Sequence, residues 1–428
     1  MKIAVRTATA LLAAVSMAAA PAVSAASIYQ PDVVSDNPAD WTPQLVHPGT
    51  GPKPRVDAMA QLGSRLYAGG LFTDVEAIDG STYARKNMMA FNASTGSVST
   101  AFKPTVDGNV FAVEATAEGV YIGGSFTSVD GVARPAIAKL NPATGALDTT
   151  FSPPIKGGRV NEIKLVDGRL IVGGSTGSKL MALDPTTGRN TGYIRLPITD
   201  KIPGAWGGVA VYQFAVNPAG TQLVATGNFR TVDGKPRTRF FMVDLGQSTA
   251  SLSPYYYGAF AKPCTSTHPR RIAYLQGIDY SPNGSYFVVT ATGQIPFKED
   301  RGVTVCDAAA RFNVSNDTKP TWINYTGGDS VWSAAATGSA VYVQGHFKWL
   351  DNPNGSASQC PTGETCAFRR GAGAIDPVSG KALPWNPNKP AQIGGKDFLA
   401  TSDGLWIGSD SVTIKGEPHR GIGFMPLR

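Results

Sequence analysis

Tyr121-Ile122-Gly123-Gly124, then Lys139-Leu140-Asn141-Pro142-Ala143-Thr144-Gly145, then Phe151-Ser152-Pro153 form one unit of a repeat that runs along the chain. The glycine piece returns as Leu66-Tyr67-Ala68-Gly69-Gly70, Leu170-Ile171-Val172-Gly173-Gly174 and Val341-Tyr342-Val343-Gln344-Gly345. Weaker copies are Leu223-Val224-Ala225-Thr226-Gly227, Phe287-Val288-Val289-Thr290-Ala291 and Leu405-Trp406-Ile407-Gly408. A short β-branched or aromatic run ending in glycine reads as a strand that closes at a bend or a close backbone contact. The second piece recurs around Asn92, Asp184 and Asp376, each followed by a Thr-Gly or Ser-Gly turn, which is hairpin chemistry. The third piece, an aromatic two residues before proline, recurs as Phe102-Lys103-Pro104 and Trp385-Asn386-Pro387 and suits an outer edge strand, where a missing N–H is tolerated.

An apolar strand precedes each glycine piece, as in Val110-Phe111-Ala112-Val113. Each unit therefore predicts four antiparallel strands, and seven units predict an all-β, seven-bladed β-propeller. The last unit stops after its third strand, Gly421-Ile422-Gly423-Phe424-Met425-Pro426. The missing fourth segment stands at the other end of the chain as Ala39-Asp40-Trp41-Thr42-Pro43, so the N-terminal strand is expected to join the last blade and close the ring.

These pieces resemble known groups. The strand, Asn or Asp, turn and Thr-Gly run is similar to the repeat of quinoprotein-type propellers. Gly123 to Gly131 with Arg134, Leu140-Asn141 and Leu147-Asp148-Thr149-Thr150-Phe151 resembles a delta-type propeller repeat of bacterial exported proteins. The stretch Tyr286 to Leu427 resembles a secreted actinobacterial β-propeller family of unknown function. It does so on Cys306-Asp307-Ala308-Ala309-Ala310-Arg311, Pro320-Thr321-Trp322, Tyr325-Thr326-Gly327-Gly328-Asp329, His346, Trp349 and Gly404 to Asp410. The resemblance implies architecture and export, and transfers no catalytic residue. Quinone-dependent dehydrogenases of that type carry an adjacent Cys-Cys pair, which this chain lacks, so no cofactor is expected.

Composition supports the same class. Of 428 residues, 42% are hydrophobic and 16% charged, against about 25% charged in ordinary domains, which argues against coiled coils and, with so much apolar content, against disorder. Lys2, Arg6, the apolar run Ala8 to Ala20 and Val23-Ser24-Ala25 read as a signal peptide over residues 1–25, leaving 26–428 as one propeller domain, secreted and extracellular. No later run is long enough to span a membrane. The formal charge of +7 falls to +5 without Lys2 and Arg6, with no dense basic block for nucleic acid. A monomer is the expected state. Cys264, Cys306, Cys360 and Cys366 allow three disulfide connectivities, of which Cys264–Cys306 and Cys360–Cys366 are expected.

Candidate chemistry is sparse. Gly173-Gly174-Ser175-Thr176-Gly177 matches a nucleophile elbow, but here it is a strand end of the repeat. Four histidines without a His-Glu-x-x-His pattern predict no zinc site. Asp-Gly turns followed by Arg85, Arg134 and Arg237 recur once per unit, which marks a structural element whose arginine hydrogen-bonds carbonyls at the blade edge. Departures from the repeat are more telling. From glycine piece to turn the spacing is 15 residues in the third unit and 35 in the sixth, so insertions collect in the second-to-third strand connections, where binding loops usually lie. Aligning the innermost strands places Asp57, Phe111, Asn161, Tyr212, Gln276, Trp332 and Lys396 at equivalent positions near one channel mouth. Three aromatics among four polar groups suit a sugar, which has apolar ring faces and hydroxyl edges. That funnel, with loops carrying His268, His346 and Trp349, is the expected binding surface, for an extracellular glycan or a cell-surface protein. The rival reading is a polysaccharide lyase or glycoside hydrolase working in the same funnel, with His268 beside Arg270 and Arg271, or His346 beside Lys348, as base and cation.

Overall fold

A computed structural model describes residues 28–47, 49–264, 273–315, 317–390 and 394–428; the expected signal peptide, residues 1–25, and His268, Arg270 and Arg271 lie outside them. The described chain is all-β, with helix confined to two short 3-10 turns, Gly258–Ala261 and Lys298–Asp300. Most strands belong to antiparallel meanders that follow the repeat. Their leading strands are Arg55–Leu62, Val110–Thr116, Val160–Val166, Ala210–Val216, Tyr274–Tyr280, Val331–Ala336 and Asp397–Thr401. The glycine pieces form the second strands, such as Gly119–Gly124, and runs such as Ile137–Leu140 form the third.

The glycine pair has two distinct jobs, seen best in the second meander. A Cβ on Gly123 would collide with Val160 of the next leading strand, so glycine there lets neighbouring meanders approach. A Cβ on Gly124 would collide with the Asn109 carbonyl, which bends inward because the leading strand is bulged after Val110. The same irregularity falls between Val56 and Ala58, Val160 and Glu162, Val211 and Gln213, Leu275 and Ile278, and Val331 and Ser333. Six of the leading strands are thus bulged at one equivalent place. A bulge leaves its extra residue out of the ladder and re-aims its side chain.

The other two pieces join one meander to the next. Gly145 of the Thr-Gly turn has φ +77° and packs against Pro104, while Gly188 packs in the same way against Pro153. Tyr67 and Tyr121 donate their hydroxyls to the carbonyls of Pro142 and Pro185 in the following turn, both at 2.8 Å. The aromatic before each proline is buried edge-on against the second strand: Phe102 on Tyr67, Phe151 on Tyr121 and Trp385 on Tyr342, with centroids 5.1–5.5 Å apart. Each such pair contributes about 0.5–1.5 kcal/mol beyond its buried area.

This packing corrects the expected strand count. Full fourth strands form only in the fourth and fifth meanders, as Ala250–Leu252 and Pro320–Tyr325. In the first, second, third and sixth the fourth segment touches the third through one residue pair, Phe91 with Val98, Leu140 with Leu147, Leu183 with Asn190 and Ile375 with Ala382. In the first, second and sixth the aromatic of that segment is buried. The N-terminal segment behaves like these fourth segments. Trp41 packs on Trp406 and Phe424, Ser35 and Ala39 donate their N–H groups to the Pro426 and Phe424 carbonyls, and the Trp41 carbonyl lies over Gly96 of the first turn.

The arginines close the insertions onto the sheet edge. Arg85, Arg134, Arg237 and Arg369 donate to the carbonyls of Ser99, Thr149, Ser253 and Leu383, at 2.6–3.1 Å. The last of these copies was too irregular to see in the sequence. Both expected disulfides are present, Cys264–Cys306 and Cys360–Cys366.

Candidate functional site

The six bulges and the start of the seventh leading strand deliver their side chains to one place. Asp57, Phe111, Asn161, Tyr212, Gln276, Trp332 and Lys396 together line a cavity of about 450 Å³. All seven aligned positions therefore meet in space. Arg159, Trp206, Tyr274 and Thr292 complete much of the wall.

Within it, charge and aromatic surface alternate. Asp57 is buried and accepts both oxygens' share of the Arg55 guanidinium at 2.9 and 3.0 Å. Burial pushes its carboxyl above the ordinary value, while Arg55, Asn109 and Lys396 pull it back. The Lys396 ammonium stands 3.4 Å from the centroid of the Trp332 ring, a cation–π pair. Burial lowers its pKa to about 8, against the opposing pull of Asp57. Arg159 lies 5.8 Å over Phe111. Tyr212 and Tyr274 sit with centroids 6.3 Å apart, and burial pushes Tyr212 up to about 12. Asn161 is committed to the scaffold, donating from Nδ2 to the Val211 carbonyl at 2.7 Å.

Trp206 was not found from the sequence. It sits in a link between meanders that has no counterpart in other repeats, and it is 85% exposed at the cavity wall. Arg159 and Tyr274 were also missed, although each lies two residues before an aligned position, a signal that a wider window would have caught. Two expected residues lie elsewhere. His346 stands with Nδ1 3.7 Å from Asp329 Oδ1, and Trp349 packs edge-on against Phe368 of an inserted hairpin at 5.2 Å; neither lines the cavity. Ser175 of the apparent nucleophile elbow accepts the Arg159 N–H at 3.0 Å, as a strand end does.

A second cavity of about 360 Å³ opens farther along the same strands, between Glu162, Lys164, Asp279, Asp397 and the hairpin Val216–Gly220. Two of its carboxylates, Asp279 and Asp397, and the nearby Glu114 hold neighbouring strands together. Glu114 accepts the Leu165 N–H at 3.1 Å, Asp279 the Ala336 N–H at 2.9 Å, and Asp397 the Met59 N–H at 2.6 Å. Burial raises Glu162 to about 7 and Asp397 to about 8. Burial pulls Lys164 down, but Glu114, Glu162, Asp397 and Asp279 together hold it above its ordinary value. Among the described residues no cluster of three or more His, Cys, Asp or Glu is arranged to hold a metal ion, and no helix is long and apolar enough to cross a membrane.

Comparison with known proteins agrees with this architecture. A family profile described as "Domain of unknown function (DUF5122) beta-propeller" matches residues 120–151, the unit in which the repeat reads most clearly. No curated protein matches the chain. Among solved structures, the hydrazine synthase of Kuenenia stuttgartiensis is similar over 85% of this chain and 96% of its own, at 11% identity and a TM-score of 0.50. The computationally designed Ika8 protein is similar over 90% of this chain and 98% of its own, at 12% identity and a TM-score of 0.45. At such identities the likeness concerns the fold alone. The chain is an all-β protein of the β-propeller kind.

Proposed function

We propose that residues 26–428 form one secreted, seven-bladed propeller that binds an extracellular glycan in its axial cavity without transforming it. Seven leading strands among the described residues support the count of seven blades, and two joints between the chain's ends support closure. One is the Asp397 to Met59 hydrogen bond linking the last leading strand to the first. The other is Trp41, which fills between the seventh meander and the first turn the place that Phe102 and Phe151 fill elsewhere. Export is supported by the leader sequence and by two disulfides, which persist in oxidising compartments.

The observation that carries the reading is the identity of the bulge residues. A scaffold needs a bulge at each place but no particular side chain on it, and here the side chains are aromatic rings interleaved with amides and charges around a common space. Rings offer apolar area at fixed geometry and amides offer directional hydrogen bonds. Hydrolysis of a glycosidic bond commonly needs two carboxylates flanking it, and among the described residues Asp57 is the single carboxylate of the lining. That favours binding over the hydrolase reading.

Trp332→Ala and Trp349→Ala separate the cavity from the inserted loop. In affinity electrophoresis through immobilised polysaccharides, the first variant is expected to lose retention at least tenfold and the second to run as the parent does. Equal behaviour of both, with the fold intact by circular dichroism, refutes the cavity as the site.

A further inference from the structure

The cavity holds more positive charge than its scaffold uses. Asp57 is paired with Arg55, which is not part of the lining. The two cations that do line it, Lys396 and Arg159, take part in no ion pair of the described residues. Each rests instead on an aromatic face, Trp332 and Phe111 respectively. An aromatic face attracts a cation on one side and leaves its N–H donors free to meet an anion on the other. With Asp57 held by Arg55, Lys396 and Arg159 leave the described lining with positive charge in excess.

A neutral ligand filling this space would take the Lys396 ammonium further out of water with only the longer-range pull of Asp57 and Asp410 to offset it, which is costly. An anionic one would compensate it with charge-assisted hydrogen bonds. The rim supplies a place for the rest of such a ligand. The backbone of Trp206 is pinned, its N–H donated to the Tyr274 hydroxyl at 3.0 Å and its carbonyl accepting Asn228 Nδ2 at 3.2 Å, while its indole stands in solvent. A large aromatic whose backbone is held this way at the wall of a polar cavity is a stacking platform whose main chain needs little further ordering.

We infer that the ligand is an anionic saccharide, its ring laid on Trp206 and its one charged substituent taken by Lys396 and Arg159. The inference rests on the glycan reading above and narrows it to one chemical class.

Isothermal titration of the intact secreted chain with two matched pairs of polymers tests it. The pairs are polygalacturonate with its carboxyl-reduced neutral form, and dextran sulfate with dextran. At least one charged member is expected to bind tenfold or more tightly than its neutral partner, and the pair that discriminates identifies carboxylate or sulfate as the group recognised. Lys396→Met and Arg159→Gln should each abolish most of that preference while leaving the weaker affinity for the neutral polymer. Lys396→Arg should restore it, which a merely structural lysine would not do, and Trp206→Ala should weaken charged and neutral polymers alike. Arg159 is exposed, so its variant remains informative even where Lys396→Met fails to fold. Equal affinity for both members of both pairs overturns the anionic class and leaves the glycan reading standing. A parent protein that binds none of the four polymers and no other neutral glycan overturns both.

Discussion

The two ends of the leading strands carry similar numbers of charges and use them in opposite ways. Glu114 and Asp279, toward the C-terminal ends of their strands, and Asp397, one residue past Lys396, each accept an N–H from the strand of a neighbouring meander, so these groups are spent on the scaffold. At the bulged N-terminal ends Lys396 and Arg159 rest on rings and pair with no described carboxylate. Asp397 and Lys396 are adjacent in sequence and fall on either side of this divide. A charged cluster thus does not mark a site by being charged. What marks it is hydrogen-bonding capacity that the fold leaves over.

The largest effect that should separate the two ends is on stability. Asp397→Ala removes the acceptor of the Met59 N–H and should cost about 2 kcal/mol in urea denaturation, the penalty of an orphaned donor. A loss under 0.5 kcal/mol would mean that this carboxylate does not hold the strands.

A pH effect on stability bears on the same cluster. Glu162 at about 7 and Asp397 at about 8 both lie above their unfolded values near 4, so between pH 5 and 8 the native state holds protons that the unfolded chain has released. Their contribution is complete below the unfolded values and is lost as pH rises through 7 and 8. Stability by chemical denaturation should therefore fall from pH 5 to pH 8.5, and Asp397→Asn should flatten the fall. A flat parent profile, or an unchanged slope in the variant, would count against proton uptake by this cluster. Lys396, depressed to about 8, acts in the opposite sense and only above that pH, where the unfolded chain binds the extra proton.

The smallest effect sharpens the boundary within the binding end. Asn161 lines the cavity yet donates its amide to Val211. Asn161→Ala should cost about 0.5–1 kcal/mol of stability with little change in polysaccharide retention. A tenfold loss of retention at unchanged stability would move Asn161 to the ligand side.

Much of this architecture was legible in the chain itself because its demands are local. A glycine beside a bulge carbonyl, an Asx turn closed by a Thr-Gly or Ser-Gly, and an aromatic two residues before proline are each set by backbone geometry within a few residues, and their recurrence along the chain makes them readable. Alignment of the repeats even found the seven equivalent cavity positions, since equal register in each meander means equal height in the fold. The fourth strands were overestimated, because sequence shows an edge segment's composition but not how many of its residues pair with the third strand, one residue in each of four meanders.

What the tertiary structure alone decided is the use of each charge. Whether Lys396 meets a carboxylate or an indole depends on strands more than sixty residues apart, and nothing near Lys396 in sequence records that Trp332 lies beneath it. The same holds for the Asp397 carboxylate and Met59, which begin and end the series of strands, and for Trp206, whose loop repeats nowhere and is placed by Tyr274 and Asn228. Local backbone chemistry writes the repeat into the sequence. Long-range satisfaction of polar groups, which sets the site apart from the scaffold, exists only once the strands have met.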